Sequence, residues 1–217
     1  MRGTIPRIPH LPGSQVGDDD LALSPDEAAP FLARRVVVSE KTDGISLTVR
    51  LSPDGEVRAG LKADWLPALG GCVLRAADLW VRQRERELGP LVEDGTHVYG
   101  EWLWHRLEVT YDRLPSAALL YGMRDPTGRL VPRAVALSRL RAAGLPVVEP
   151  LFVGVIGARS LASFCRASAW GGAVSEGVVV ELVDNGGVRW AKWVRAGYRQ
   201  PTPRTMSGQK NRVLLDG

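Results

Sequence analysis

Two runs of valine, Val36-Val37-Val38 and Val178-Val179-Val180, stand near opposite ends of the chain, each closed off by charged residues and a glycine-containing turn. Consecutive β-branched residues are stiff about χ1 and suit an extended, packed backbone better than a helix, so both runs predict strands. The first spans Arg35 to Lys41 and meets Asp43-Gly44; alternating Ile45, Leu47, Val49 and Leu51 follow, then a second turn at Pro53-Asp54-Gly55. That pattern reads as a β-hairpin with Lys41 at the end of its first strand. The second run, Gly177 to Val183, leads through Asp184-Asn185-Gly186-Gly187 into Val188 to Val194, another hairpin. Between them, Gly70-Gly71 precedes a helix predicted over 72–88, whose Val73, Ala77, Trp80 and Val81 share one face. Strands are expected over 96–103 and around Leu119-Leu120-Tyr121 with Met123. A helix over 133–143 is closed by Gly144 and Pro146. The first 30 residues, rich in Pro, Gly and Asp, read as an extended lead-in with turns. No repeat and no linker divides the chain, so the expectation is one α+β domain over 1–217 with antiparallel sheets.

Composition narrows the function classes. With 45% apolar and 24% charged residues among 217, the chain is globular rather than disordered. Cys72 and Cys165 cannot form a disulfide framework and lack a zinc spacing. No stretch approaches about 18 apolar residues, and Met1 to Gly13 has no apolar signal region, so a cytoplasmic, non-membrane protein is expected. Of 28 basic residues only four are lysine (Lys41, Lys62, Lys192 and Lys210). Where a bare positive charge sufficed the chain used arginine, which marks the lysines for work that needs an amine. The net charge of +4 is gathered at the C-terminus. Arg195, Arg199, Arg204 and Lys210 lie in a basic tail over 196–217 and its approach, interleaved with Trp193 and Tyr198. Such a tail suits a polyanion whose phosphates need neutralising and whose bases can stack, or is a solvated arm.

Glu40-Lys41-Thr42-Asp43-Gly44 places a lysine at a strand end, before a turn that permits close backbone approach. Such an amine can attack a phosphate ester once a neighbouring charge or burial favours its neutral form. An exposed lysine on a hairpin is the plain alternative. Its company favours chemistry: Glu101 in Tyr99-Gly100-Glu101, Glu176 in Ser175-Glu176-Gly177, and Lys192 in Ala191-Lys192-Trp193. Two strand-borne carboxylates and a second lysine can supply ribose or metal ligands and a phosphate clamp.

In this order the segments resemble motifs I, III, IV and V of the covalent nucleotidyltransferases, the superfamily of ATP-dependent RNA ligases, DNA ligases and mRNA capping enzymes. Leu61-Lys62 sits at the place of motif Ia, and Leu120-Tyr121-Gly122 at that of motif IIIa. The likeness is nearest to the RNA ligases, whose motif III reads hydrophobic-Gly-Glu; related ligases begin with a segment similar to Pro6-Arg7-Ile8-Pro9-His10-Leu11-Pro12. DNA ligases and capping enzymes usually carry Arg where this chain has Ser46, and an OB domain after motif V, where only 22 residues follow Arg195. The resemblance implies an ATP-grasp-like nucleotidyltransferase domain without an OB domain. It implies an enzyme that uses ATP and Mg²⁺ or Mn²⁺, joins 5′-phosphate and 3′-hydroxyl RNA ends in RNA repair, and passes through a lysyl-AMP intermediate. RNA is the implied partner, with an accessory repair protein as a further candidate.

Residue by residue, the resemblance makes Lys41 the nucleophile and Glu101 the ribose contact. Glu176, with Glu101, holds the metal. Lys192 neutralises the α-phosphate, Lys62 contacts a phosphate, and Tyr121 stacks on adenine. Glu40 lies where a strand edge reads the base, and Asp43 and Gly44 complete the nucleotide site. RNA is assigned to Arg195, Arg199, Arg204 and Lys210. The departures are Gly122 where an acidic residue is usual, Lys62 for Arg, and an incomplete Lys-x-Lys in motif V. The rival readings are a DNA-joining or GTP-dependent capping enzyme and a non-catalytic RNA-binding module. His10, His97 and His105 have no ligand spacing and read as satisfied or exposed; Trp65, Trp80 and Trp170 read as packing.

Overall fold

The computed structural model describes residues 7–62, 72–157, 160–199 and 209–214. In chain order the elements are α1 (Pro25–Ala33), β1 (Arg35–Lys41), β2 (Ile45–Leu51), β3 (Val57–Lys62), α2 (Cys72–Arg82), α3 (Glu85–Val92), β4 (His97–Trp102), β5 (Ala118–Arg124), α4 (Arg133–Ala142), β6 (Pro150–Val155), a 3₁₀ turn (Leu161–Phe164), β7 (Gly177–Asp184) and β8 (Gly187–Val194). The strands form two four-stranded antiparallel sheets, β6-β1-β7-β8 and β3-β2-β4-β5. The α+β class and the antiparallel sheets are as the sequence predicts.

Each sheet buries its outer face under helices. Val36 and Val38 of β1 and Val178, Val180 and Leu182 of β7 pack with Ala28 and Phe31 of α1 and Leu161 and Phe164 of the 3₁₀ turn. Ile45, Leu47 and Val49 of β2 pack with Val73, Ala77, Trp80 and Val81 of α2, Leu88 and Val92 of α3, and Ala136, Leu137 and Leu140 of α4. Because side chains alternate across a strand, the residues between these apolar ones face inward. They are Ser39 and Lys41 on β1, Val179 and Glu181 on β7, Trp190 and Lys192 on β8, Tyr99 and Glu101 on β4, and Tyr121 on β5. Tyr99 and Trp190 meet across the gap, centroids 6.5 Å apart at 79°, and Tyr121 meets Trp190 at 6.0 Å and 69°. The inner faces thus enclose a polar, aromatic cleft.

The structure corrects the expected first hairpin. β1 and β2 are consecutive but lie in different sheets, because β1 is already paired on both sides by β6 and β7, and β2 by β3 and β4. Residues 42–44 are a crossover, and Asp43 N–H donates to Tyr111 Oη at 2.7 Å instead of to a neighbouring strand. The helix expected over 72–88 is two helices. At the end of α2, Arg84 N–H donates to Val81 O at 3.0 Å, an i→i−3 bond that tightens the turn and lets α3 set off on a new axis.

The lead-in ends in a helix, α1, that composition obscured. Ser24 accepts Glu27 N–H, Glu27 returns a bond to Ser24 N–H at 2.9 Å, and Pro25 occupies the first turn. The basic tail is not a free arm over its described part. Lys210 pairs with His105 and Val213 with Leu114, and Asn211 Nδ2–H donates to Leu103 O at 2.7 Å. No helix among the described residues is long and apolar enough to cross a membrane.

Gly177 shows how tightly β7 and β8 are drawn together beside Lys41. A Cβ there would stand 2.0 Å from Trp193 O and 2.9 Å from Val194 Cα, backbone atoms that cannot swing aside. Gly177→Ala is expected to cost about 3 kcal/mol or more and to lower Tm by roughly 6–12 °C. Gly60→Ala, where the nearest atom is Thr48 O at 3.8 Å, should change stability by no more than about 0.5 kcal/mol. Thermal unfolding of the two variants checks both.

Candidate active site

Lys41 ends a central strand, paired with Gly177. Its ammonium lies 2.7 Å from Glu176 Oε1, with the lysine side chain 23% exposed and the glutamate 7%, so the pair is sheltered yet reachable by a ligand. Glu176 precedes β7, and its carbonyl accepts Arg195 N–H at 3.0 Å, which fixes the carboxylate beside β1. Glu101 enters from the opposite sheet, on β4. It is paired in register with Ser46, which also hydrogen-bonds its carboxylate, while Glu101 Oε2 is buried without a partner.

Charge governs this cluster. Burial pulls the Lys41 pKa down, but Glu176, Glu101 and Asp43 outweigh it, and the amine is held as an ammonium above its ordinary range. Burial pushes Glu101 up to about 8 against the opposing pull of Lys41. Burial likewise pushes Glu176 up to about 7, with Lys41 again opposing. Three carboxyl groups surround one ammonium, so the cluster is short of positive charge, and burial in that surplus of carboxylates raises all three acids above their ordinary range.

Asp43 is locked in place rather than free to turn toward a ligand. Its carboxylate accepts Val109 N–H at 2.6 Å and Tyr198 Oη–H at 2.7 Å. Tyr111, which takes the Asp43 N–H, has its own N–H bound by Asn211 Oδ1 at 3.0 Å. The C-terminal segment therefore braces the crossover that carries Lys41. Gly44 is needed for packing, since a Cβ would meet Leu103 Cδ2 at 2.6 Å and Trp102 O at 2.8 Å.

Farther along the cleft, Lys192 Nζ is 3.0 Å from Asp20 Oδ1, an ion pair to the lead-in that the motifs do not signal. Tyr121 stands edge-on to Trp190, with the Arg133 guanidinium 5.8 Å from its ring. Glu181, 1% exposed, accepts Arg133 N–H at 2.8 and 3.1 Å and Trp190 Nε1–H at 2.8 Å. Behind Trp190, a cavity of about 300 Å³ between the lead-in, α1 and β8 contains no residue of the Lys41 cluster.

The structure brings together Lys41, Glu101, Glu176 and Asp43, with Lys192 and Tyr121 on the same cleft. Other expected residues lie elsewhere. Glu40 points away from Lys41's face and is bonded by Ser168 and the Ala169 N–H; burial raises its pKa. No strand edge exists there, because β1 is central. Arg195 Nε–H donates to Ser175 O at 3.0 Å and lies over Tyr198, a structural use of its charge. Lys210 Nζ sits 5.0 Å over the Trp104 ring and Arg199 is exposed; Arg204 and the Lys62 side chain lie outside the described residues. Sequence reasoning missed His10, which is 2% exposed and next to Asp20 in this site. The signal was its place in Pro9-His10-Leu11, ahead of the Asp18-Asp19-Asp20 run.

Among the described residues no group of three or more His, Cys, Asp and Glu side chains has metal-binding geometry. Glu101 and Glu176 do fit a hard divalent cation that keeps most of its shell as water. They are two oxygen donors, one with an unpartnered buried atom, in a cluster short of positive charge.

A family model described as RNA ligase matches residues 34–194. Among solved structures, the fold is similar to an archaeal ATP-dependent RNA ligase at 21% identity and TM-score 0.59, over 88% of this chain and 48% of that one. It is also similar to a Naegleria gruberi RNA ligase with PPi at 14% identity and TM-score 0.58, over 87% and 59%. A mutant of the Naegleria enzyme with ATP and Mn matches at 14% and 0.57, over 77% and 52%. The chain spans about half the length of these structures. Among curated proteins no match is found. The match over 34–194 takes in both sheets and every residue of the carboxylate cluster, and on it the chain belongs to the RNA ligase family.

Proposed function

We propose that this chain is an ATP-dependent RNA ligase that joins 5′-phosphate and 3′-hydroxyl RNA ends in RNA repair, in the cytoplasm, through AMP carried covalently on Lys41. The observation that carries the reading is the Lys41–Glu176 pair, a sheltered amine at the end of a rigid central strand with a proton acceptor 2.7 Å away. The family membership and the ATP-dependent ligases that share the fold support it.

The geometry supports a definite sequence of events. Lys41 is an ammonium and must lose a proton before its lone pair can attack phosphorus. Glu176, raised to about 7, is the group placed to accept that proton. The nitrogen then forms a bond to the α-phosphorus of ATP as the bond to pyrophosphate breaks. Lys192, on the adjoining strand, supplies a fixed positive charge to the α-phosphate oxygens. Tyr121 offers aromatic surface to the base. A divalent cation held by Glu101 and Glu176 supplies, when bound, positive charge that offsets both the phosphates and the carboxylate field around Lys41. An oxygen of the RNA 5′-phosphate next displaces Lys41 from AMP, and a 3′-hydroxyl finally displaces AMP from the RNA. Arg195 is already used as a brace, while Arg199, Lys210 and Arg212 are exposed tail cations, among the described residues, open to RNA.

Incubation with α-labelled ATP and Mg²⁺ or Mn²⁺ should label the wild-type chain, and Lys41→Ala should lower the label by about 10³-fold or more. Equal labelling of that variant sinks the mechanism. GTP in place of ATP, and a DNA nick in place of RNA, separate the capping and DNA-joining alternatives.

A stability test follows from Glu101. Its folded pKa, about 8, lies above the ordinary 4.5, so between those values the folded chain holds a proton that the unfolded chain has lost. Stability therefore falls as pH rises across that window. Glu101→Gln should leave Tm unchanged near pH 4.5 and raise it by roughly 2–6 °C at pH 8, while abolishing labelling; calorimetry at the two pH values decides it.

A further inference from the structure

The lead-in is folded around one side chain of the site. Residues 9–15 run beside β8, where Lys192 N–H donates to Pro9 O and Leu11 N–H to Lys192 O, both at 2.8 Å, and Gln15 N–H to Val194 O at 3.0 Å. The chain reverses at Gly17, whose N–H donates to Asp20 Oδ2 at 3.1 Å. It then returns along His10, with His10 N–H on Leu21 O at 2.6 Å and Leu23 N–H on His10 O at 2.8 Å. That return delivers Asp20 Oδ1 to within 3.0 Å of the Lys192 ammonium.

Behind Asp20 stands His10. Ser14 Oγ accepts Val194 N–H at 2.8 Å and lies 2.6 Å from His10 Nδ1, while His10 Nε2 lies 3.2 Å from Asp20 Oδ2. Burial, reinforced by the Lys192 charge, holds His10 below its ordinary pKa, in keeping with a neutral ring.

We infer that Asp20 is a positioning residue for Lys192, and that the lead-in over residues 9–23 is a working part of the phosphate site. The inference rests on the proposed function for the identity of that phosphate. A lysine amine has three donors on a flexible stem whose ordering costs rotamer entropy. Asp20 engages one donor and fixes the stem beforehand, leaving two donors for a ligand. It also fixes the amine's direction.

Asp20→Ala and Asp20→Glu in the full chain test this, with ¹⁵N NMR of the Lys Nζ groups, of which there are only four. The alanine variant is expected to lower the saturating rate of AMP transfer to Lys41 by about 10–100-fold, with half-saturating ATP moved by no more than about 5-fold. The glutamate variant should recover at least about half of the rate, and only the Lys192 resonance should move in Asp20→Ala. The inference is overturned by a rate within about two-fold of wild type, by a glutamate variant as impaired as the alanine one, or by a Lys41 resonance displaced together with that of Lys192. A wild-type chain that takes no AMP would sink the proposed function separately. Inorganic pyrophosphate then decides the inference: a shift of the Lys192 resonance that needs about five-fold more pyrophosphate in Asp20→Ala supports it, and equal affinity refutes it.

Discussion

An ammonium buried among carboxylates is stable only while it stays an ammonium, and this molecule is organised around that constraint. Lys41 is held by Glu176 at 2.7 Å within the field of Glu101 and Asp43, and the cluster is short of positive charge without a ligand. The two sheets exist, functionally, to bring these groups together. β1 and β7 supply Lys41 and Glu176 from one side, and β4 supplies Glu101 from the other. On the proposed function, the arrangement stores Lys41 in an unreactive form and makes its release depend on whatever neutralises the carboxylates. That is a sound device for an amine that would otherwise meet phosphate esters unselectively.

The same logic separates the two faces of each sheet. Outer faces are apolar and lie under helices, where burial stabilises the fold without specifying chemistry. Inner faces carry ionisable and aromatic side chains whose burial is costly and is offset by pairing: Glu181 with Trp190 and the Arg133 N–H, and Asp43 with Tyr198 and Val109. Ser39 Oγ, Tyr99 Oη and Glu101 Oε2 remain without partners on those inner faces, a distribution that fits a cleft shaped for a ligand richer in polar atoms than water-free protein can satisfy.

Local patterns made the second hairpin legible: an Asn-Gly turn between alternating runs fixes both strands. The first hairpin misled because Asp43-Gly44 carries the same local signature while long-range pairing with β6, β7, β3 and β4 decides its geometry. Lys41, Glu101, Glu176 and Lys192 could be picked out because motif spacing marks them. His10 and Asp20 could not, because what gives them their place is a backbone fold-back onto β8 that no periodicity encodes. The tail shows what charge counting leaves out: Arg195 bonds the Ser175 carbonyl, while Lys210 stays exposed with its ammonium over the Trp104 ring.

The split of β1 and β2 between sheets also bears on the order in which the molecule can assemble. β2 to β5 come from one stretch of sequence, 45–124, with α2 and α3 between them, so their pairings join residues less far apart in the chain. The other sheet needs β1 to capture β6 and β7 from more than a hundred residues downstream, contacts whose loop-closure entropy makes them slow. Lys41 and Glu176 belong to that late event. Competence for chemistry thus depends on the longest-range pairings in the chain, and a chain with only the 45–124 sheet formed would carry an ordinary, solvated lysine at position 41.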